Sequence, residues 1–418
     1  MSNRRVKLAD IAELTVGFVG NMTKQYVNEG VKFIRSLNIK PFHIVEDDMK
    51  YVSKEFSESL GKSILHENDL IIVRTGVPGT CCVVSKDYEG CNCADVVLVR
   101  PNLGLANPYY LAAYINGWGK KQVENNKVGA IQKHFNVQSA EEMLIDLPDL
   151  ENQNKVAKIL CDLNDKIIKN EKINDYLEEM AKTIYDYWFV QFDFPDENGN
   201  PYKSSGGKMT WNDKLKTQIP QYWQSETLSA YGKILSGGTP STGNLNFYAE
   251  EGIAWITPND LSNNTSNMFI SHGEKDISLQ GLNNSSATLI PPESILLSTR
   301  APIGYIAISM NELTTNQGFK TLVPNNTANT CFLYYLLKRN IPYLEQMGTG
   351  TTFKEVSKDS MEHLLTILPP DDILTQFTQK IKPYMILRKT IEQETKWLIS
   401  VRDWLLPMLM NGQATIGD

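Results

Sequence analysis

Residues 129–148 run GAIQKHFNVQSAEEMLIDLP, and residues 350–369 run GTTFKEVSKDSMEHLLTILP. The two stretches share few identities, yet Gly129 matches Gly350, and both stretches end in Leu-Pro at one offset of 221 residues. Self-similarity at a fixed offset is the sequence signature of a repeated structural unit. The chain is therefore predicted to use one unit twice.

The same offset, with small slips, persists through both halves of the chain. LIIVRTGVPG (70–79) lies over ILLSTRAPIG (295–304), and GVKFIRSLNI (30–39) lies over GIAWITPNDL (252–261). Single positions that the offset superimposes are Leu8 on Leu228, Gly17 on Gly237, Phe33 on Trp255 and Ile34 on Ile256. Agreement over this length indicates a true repeat.

Each half begins with a mixed α/β region. DLIIVRTG and GTCCVVS are apolar, rich in β-branched residues and bounded by Gly or Pro, which is typical of buried strands. Asn107-Pro108 suits a helix start, with Asn as the N-cap and Pro at the first helical position. The predicted fold class is α/β (α+β), with two such domains.

Each half ends in a long amphipathic segment, predicted to be a helix about 50 Å long. A single apolar stripe of that length favours a partner helix, and its own repeat is the obvious one. The two helices are expected to form an antiparallel coiled coil, with two separate cores as the alternative. Its predicted core is Leu163, Ile167, Asn170, Leu177, Ile184, Tyr384, Ile391, Leu398 and Leu405.

Two polar or irregular residues fall on this helical pattern. Asn170 lies on the apolar stripe, where a buried Asn can fix register at some cost in stability, so Asn170→Leu is expected to raise the melting temperature. Pro383 should bend the second helix or mark its start, because an interior proline removes a backbone hydrogen bond.

Six segments follow from the repeat. They are a first globular domain at 1–148, a long helix at 149–192, a linker at 193–224, a second globular domain at 225–369, a long helix at 370–410 and a tail at 411–418.

Charge and composition exclude several classes of protein. The 418 residues carry a net charge of −7, and residues 1–148 hold 17 basic and 17 acidic residues, which argues against indiscriminate coating of nucleic acid. No apolar run reaches the length of a membrane span, and no signal peptide is recognised. Six cysteines without a secretory signal indicate reduced thiols, so a cytoplasmic location is expected.

With the repeat established, the chain resembles the specificity subunit of type I restriction-modification enzymes over nearly its whole length. The resemblance rests on WFVQFDFPDENGNPYKSSGGKM (188–209), IPQYW (219–223), GIAWITPNDL (252–261) and the Leu-Pro junction before each long helix. It implies two target recognition domains separated by two long helices, which together read a bipartite, asymmetric double-stranded DNA target.

The resemblance also implies partners and cofactors. The helices would dock two methyltransferase subunits, and restriction subunits would join that assembly. This chain would be non-catalytic and would bind no cofactor or metal. S-adenosylmethionine would belong to the methyltransferase, and ATP and Mg²⁺ to the restriction subunit. The alternatives are a stand-alone DNA-modifying enzyme and a scaffold with no DNA role.

Three motifs could contradict a non-catalytic role. Asn107-Pro108-Tyr109-Tyr110 approaches the Asn-Pro-Pro-aromatic loop of adenine methyltransferases but lacks the second proline. Pro370-Asp371 with Glu394-x-Lys396 fits a nuclease pattern in letters, yet its parts would lie about 35 Å apart along one helix. Cys81, Cys82, Cys91 and Cys93 lack the usual zinc spacing and are interpreted as buried strand thiols.

Candidate DNA-contacting residues come from loops that the repeat places equivalently. The loop polar and basic residues are Lys24, Arg35, Asn38, Arg74, Thr75, Lys127, Gln132, Lys133, His134, Ser236, Thr239, Ser241, Thr257, Asn259, Arg300, Thr349, Thr351, Thr352 and Lys354. Such groups can reach base edges or phosphates. Arg74 and Arg300 could instead hold the domain fold.

Aromatic residues on the long helices are candidate anchors for partner subunits. They are Tyr185, Tyr187, Trp188, Phe189, Trp397 and Trp404. The alternative is that they pack the helix ends against the globular domains.

Overall fold

A computed structural model describes residues 4–117, 119, 122–123, 135–348 and 354–410. The chain forms two compact units, one from Met1–Ile168 with Lys396–Asp418 and the other from Lys169–Thr395. Each unit contains one globular module and a segment of both long helices. The limits of the six segments drawn from the sequence stay a prediction.

The first unit contains twelve strands among the described residues. They are β1 (Arg4–Lys7), β2 (Ala12–Val16), β3 (Tyr26–Val27), β4 (Val31–Ile34), β5 (Ile39–Lys40), β6 (His43–Ile44), β7 (Lys50–Val52), β8 (Leu70–Val73), β9 (Cys81–Val83), β10 (Asn92–Cys93), β11 (Val96–Pro101) and β12 (Leu144–Leu147). Its helices are α1 (Lys54–Ser59), α2 (Pro108–Asn116), α3 (Val137–Glu141) and the first part of α4 (Leu150–Phe189).

Two four-stranded sheets organise this module, in the orders β2-β11-β8-β9 and β10-β4-β7-β3. The apolar runs predicted as buried strands are β8 and β9. Leu70 and Ile72 face one apolar cluster while Ile71 and Val73 face another, because side chains alternate across a strand. The Asn107 side chain accepts hydrogen bonds from the backbone of Tyr109 and Tyr110, which confirms the predicted helix start.

The second unit begins within α4. Its strands are β13 (Met209–Asn212), β14 (Thr217–Pro220), β15 (Gln224–Thr227), β16 (Gly232–Ser236), β17 (Tyr248–Ala249), β18 (Ile253–Ile256), β19 (Phe269–Ile270), β20 (Lys275–Ile277), β21 (Ile295–Ser298), β22 (Ile306–Ser309), β23 (Thr314–Thr315), β24 (Phe319–Pro324) and β25 (Leu365–Leu368). Its helices are α5 (Pro258–Ser262), α6 (Leu279–Asn283), α7 (Thr330–Met347), α8 (Lys358–Glu362) and the first part of α9 (Asp371–Met410).

The second module repeats the topology of the first, except that its larger sheet, β16-β24-β21-β22-β19, has β19 as a fifth strand. Its smaller sheet has the order β17-β20-β18-β23, which matches β3-β7-β4-β10 strand for strand. Phe33 and Ile34 pair in parallel with β10, and Trp255 and Ile256 pair in parallel with β23 at the same two positions. The superposition predicted from the sequence offset is therefore confirmed.

The Leu-Pro junctions have a common structural role. Leu147 is the last residue of β12, which pairs with β1, and Leu368 is the last residue of β25, which pairs with β15. The proline that follows each strand cannot donate a further ladder hydrogen bond, so the strand ends and the long helix begins within three residues.

The two long helices run antiparallel in each unit. In the first unit the Arg402 guanidinium donates to Asn164 at 3.1 Å, and in the second the Asn170 amide donates to Glu394 at 2.8 Å. Five predicted core residues are buried, namely Ile167, Asn170, Leu177, Ile391 and Leu398, and the other four, Leu163, Ile184, Tyr384 and Leu405, are half-buried.

Pro383 does not mark the start of the second helix, which begins at Asp371 and continues to Met410. The proline is exposed, so water can satisfy the carbonyl that its missing N–H leaves free. The expectation of a helix start near Pro383 was wrong for this reason.

Candidate DNA interface

In the first module, three of the predicted loops meet at residues 93–95, here called hub segment 1. The Cys93 carbonyl accepts from the Phe18 backbone at 2.8 Å, and the Ala94 backbone donates to Ile34 at 2.9 Å. Asp95 receives a hydrogen bond on its side chain from Thr75. The hub segment therefore joins the loops that follow β2, β4 and β8.

The second module builds the same junction at residues 315–318, here called hub segment 2. Thr315 accepts from the Gly238 backbone at 2.8 Å, and Asn316 donates its backbone N–H to Ile256 at 3.0 Å. The Gly318 carbonyl accepts from Thr299 at 2.7 Å. The loops that follow β16, β18 and β21 are thus brought together, as the repeat predicts.

The fourth predicted loop lies mostly outside the described residues. Lys127, Gln132, Lys133, His134, Thr349, Thr351 and Thr352 fall in the stretches that the structure does not describe. The residues that follow these stretches reach the third loop of each module, because Phe135 donates its backbone N–H to Arg74 and Val356 donates to Thr299. Lys354 is exposed beside that second junction.

Asn38 is not available to contact DNA. Its side chain is fully buried, its amide donates to the carbonyls of Val45 and Asp47, and its oxygen accepts from the Arg35 backbone. These bonds hold the loop that follows β4 closed. The prediction of a base or phosphate contact by Asn38 is corrected to a structural role.

Arg35 is held within its own loop. Its guanidinium donates to the Asp48 carboxylate at 3.0 Å and to the Asp48 backbone carbonyl, and its side chain is only 20% exposed. Hydrogen bonds from Lys50 and Arg35 lower the pKa of the Asp48 carboxyl. Arg35 can contact DNA only by exchanging these partners.

Arg74 and Thr75 are tied to hub segment 1. The Arg74 guanidinium lies 3.5 Å from the Asp95 carboxylate and is 18% exposed, while the Thr75 hydroxyl donates to the same carboxylate. This favours the alternative in which Arg74 holds the domain fold.

Arg300 is the most accessible arginine among the candidates. Its side chain is 45% exposed, and its Nε donates to Glu355 at 3.0 Å. Lys320, buried beneath, approaches the other oxygen of Glu355 at 3.3 Å. Burial alone would raise the pKa of Glu355, but the hydrogen bonds from Arg300 and Lys320 leave it below its ordinary value.

The remaining candidates of the second module divide into structural and accessible residues. Thr257 forms a capping box with Asp260 at the start of α5, with its hydroxyl donating at 2.6 Å. Asn259 is exposed on the first turn of the same helix, and Ser236 and Ser241 are exposed at the two ends of the glycine-rich loop. In the first module, Lys24 is exposed on the equivalent loop.

Sequence reasoning missed two residues at the centres of these faces, Asp95 and Gln317. Both are accessible, with 44% of the Asp95 side chain exposed. The Gln317 side chain accepts a hydrogen bond from the Thr239 hydroxyl. Extending the repeat comparison into the short loops before β11 and β24 would have aligned them.

The aromatic residues of the helices separate into two groups. Tyr185, Trp188 and Phe189 are buried in the apolar core of the second unit, where the Phe189 ring lies 4.7 Å from Phe332 and 4.9 Å from Phe377. These three pack the helix end against the module, so the prediction of partner anchors is corrected for them. Tyr187 is 38% exposed, Trp397 63% and Trp404 61%.

The residues of two motifs that could indicate catalysis have structural roles. The Asn107 amide nitrogen donates to Asn154 while its oxygen caps α2, so both polar atoms are used in packing. Cys81, Cys82, Cys91 and Cys93 are buried, as expected, and burial raises the pKa of the Cys93 thiol to about 12. Within the described ranges, no three His, Cys, Asp or Glu residues cluster as metal ligands.

Among the described helices, none combines the length and the apolar character needed to cross a membrane. The fold and the convergent loops define a class: two similar α/β modules, each with a polar face built from equivalent loops, carried on antiparallel helices.

Comparisons with known proteins agree with this class. The profile of the type I restriction modification DNA specificity domain matches twice, at residues 3–179 and 220–396. The chain therefore belongs to the family of type I restriction-modification specificity subunits. The HindI specificity subunit of Haemophilus influenzae is 26% identical, covering 76% of this chain and 80% of that protein.

Two further relatives are informative. The MjaIX specificity subunit of Methanocaldococcus jannaschii is 36% identical over 38% of this chain and 37% of its own length. The crystal structure of a type I restriction-modification S subunit from M. genitalium covers 97% of this chain and 95% of that chain, with a TM-score of 0.58 at 13% identity. At that identity the likeness shows the fold.

Proposed function

We propose that this chain reads a bipartite, asymmetric sequence in double-stranded DNA, with one half-site read by each module. The observation that carries the proposal is a hub of three loops built twice on the same topology with different side chains. Hub segment 1 presents Asp95 with Arg74 and Thr75, whereas hub segment 2 presents Gln317 with Thr239. Different donor and acceptor patterns select different bases in the major groove.

The chain acts, on this proposal, as a non-catalytic subunit in the cytoplasm. Asn107 is committed to a helix cap and to Asn154, which leaves no polar atom of its side chain to hold an extruded base. Asp371 and Glu394 lie on the single helix α9, which supports the interpretation that their match to a nuclease pattern is coincidental. S-adenosylmethionine belongs to the methyltransferase partner, and ATP and Mg²⁺ to the restriction subunit.

The helices dock the methyltransferase subunits through exposed aromatic side chains. Tyr176 of α4 is 64% exposed and Trp397 of α9 is 63% exposed, and the offset of 221 residues places them at the same position of the repeat. Large exposed aromatics are typical anchors of protein interfaces. One such anchor on each helix supports two copies of the partner.

The test is retention of a specific duplex. This chain co-purified with its methyltransferase subunit is expected to hold one DNA duplex at a salt concentration that removes duplexes of scrambled sequence, because base contacts persist when phosphate contacts are screened. Equal loss of both duplexes with rising salt would contradict sequence-specific recognition. Retention of a specific duplex by the partner alone would assign the reading to that partner.

A further inference from the structure

Asp95 and Gln317 occupy the same position of the repeat. Cys93 pairs with the second residue of the Phe33-Ile34 strand end, and Thr315 pairs with the second residue of Trp255-Ile256. Asp95 follows Cys93 by two residues, and Gln317 follows Thr315 by two residues. The two residues are therefore placed to play equivalent roles at the centres of the two faces.

Gln317 is exposed on a backbone that cannot shift freely. The residues on both sides, Asn316 and Gly318, hydrogen-bond to Ile256 and Thr299 of two different loops. The Thr239 hydroxyl donates to Gln317 Oε1, which restricts the orientations of the amide. A carbonyl-type oxygen accepts two hydrogen bonds, so Oε1 keeps one free acceptor position beside the Nε2 donors.

The Gln317 amide therefore offers one free acceptor position on Oε1 and the donors of Nε2. This pattern is complementary to the hydrogen-bonding edge of adenine. In the major groove, adenine presents the N7 acceptor next to the N6 amino donor, and a Gln amide binds both at once. Because the hydrogen bond from Thr239 already restricts the amide, less side-chain entropy is lost on binding.

Asp95 presents acceptors only. Its carboxylate is engaged by Thr75 and approached by Arg74 at 3.5 Å, yet a carboxylate offers about four lone-pair sites and 44% of this side chain is exposed. An acceptor-only group matches the N4 amino group of cytosine in the major groove. It would repel the acceptor edge of guanine.

We propose that Gln317 and Asp95 are the base-reading residues at the centres of the two modules, with Gln317 recognising adenine and Asp95 recognising cytosine. The inference rests on the proposed function, because it assigns residues within the two DNA-reading faces. Thr239 acts as a positioning residue for Gln317.

The experiment uses the full chain co-purified with its methyltransferase subunit. Binding is measured on duplexes that carry each base substitution, one at a time, in both half-sites. Gln317→Glu is expected to reduce discrimination at one base pair of one half-site by about 5- to 150-fold and to leave the other half-site unchanged. Asp95→Asn should change the base preference at one base pair of the other half-site.

Matched variants separate base reading from general effects. Gln280→Glu, on an exposed position of α6, and Asp87→Asn, exposed in the first module, make the same chemical changes away from the hubs and should leave every preference intact. Thr239→Val should reduce discrimination at the base pair that Gln317 reads. The reduction should be smaller than that caused by Gln317→Glu.

Three results would overturn the inference. If the wild-type preference is untouched by Gln317→Glu and Asp95→Asn, these residues do not read bases, although the proposed function would stand. Equal weakening on every duplex would also overturn it, since that pattern indicates lost folding or phosphate contacts. A wild-type complex with no base preference removes the proposed function, and the inference with it.

Discussion

The two modules are joined to their helix segments by different chemistry. In the second unit, Arg388 of α9 lies between Glu392 of the same helix and Glu178 of α4, and its side chain is 7% exposed. Glu392 accepts backbone hydrogen bonds from Met268 and Phe269 of the module, at 2.8 and 3.0 Å. These are directional contacts between charged and polar groups.

In the first unit the offset of 221 residues places Ile167 and Ile399 where the second unit has Arg388 and Glu178, so this part of the junction is aliphatic. Leu406, Leu409 and Met410 of α9 join the same apolar cluster as Leu160 of α4, and the Arg402 guanidinium lies 5.3 Å from the centre of the Phe42 ring. Apolar packing tolerates small shifts, whereas a buried charge network has few acceptable arrangements. One repeated unit has thus acquired a rigid junction and a more adaptable one.

The largest expected difference between the junctions is in stability. Arg388→Ala should lower the free energy of unfolding by about 3–5 kcal/mol, because it leaves Glu392 without its buried cation. Arg402→Ala, which removes the arginine that α9 places over Phe42 in the first unit, should cost about 0.5–2 kcal/mol. Urea denaturation of the full chain measures both. Equal losses would erase the distinction between the junctions.

The aromatic core of the second unit should be more sensitive to truncation than the aliphatic core of the first. Phe189→Ala removes a ring with five aromatic neighbours and should cost about 3–5 kcal/mol, against about 2–5 kcal/mol for Leu409→Ala. Thermal denaturation followed by near-ultraviolet circular dichroism checks the pair. A smaller loss for Phe189→Ala would contradict the account.

Asn170 tests the helix pair itself. Its amide donates to the Glu394 carboxylate, so Asn170→Leu should now lower stability by about 1.5–3 kcal/mol, in contrast to the rise expected from sequence. The double variant Asn170→Leu with Glu394→Leu should recover most of that loss. A higher melting temperature for Asn170→Leu alone would show that the hydrogen bond to Glu394 does not stabilise the helix pair.

Exposed aromatics should matter for assembly and leave folding unchanged. Trp397→Ala and Tyr176→Ala should each weaken association with the methyltransferase subunit by at least about tenfold, measured by titration calorimetry. Tyr222→Ala, at a 78% exposed position outside the helices, is the control. Unchanged association for both helix variants would move the docking site elsewhere.

The repeat made most of the fold predictable. The strands β8 and β9, the helix cap at Asn107 and the placement of Phe33 over Trp255 followed from local pattern and offset. The sequence could not predict that Asn38 is buried or that Arg35 and Arg74 pair with carboxylates. These contacts depend on which loops fold against each other. Trp188 illustrates the same limit, since one helical stripe does not say which module covers it.

The candidate site was predictable as a set of loops but not as individual contacts. Equivalent loops had to meet if the halves share a topology, and they do so at both hub segments. Asp95 and Gln317 were missed because a single polar residue between two short strands carries no periodic signal.

Methylome sequencing of cells that express this chain with its methyltransferase subunit tests the central claim most directly. Two dissimilar modules predict one methylated motif made of two different half-sites, separated by a spacer of fixed length and unspecified sequence. A continuous palindromic motif, or methylation without sequence preference, would contradict the account.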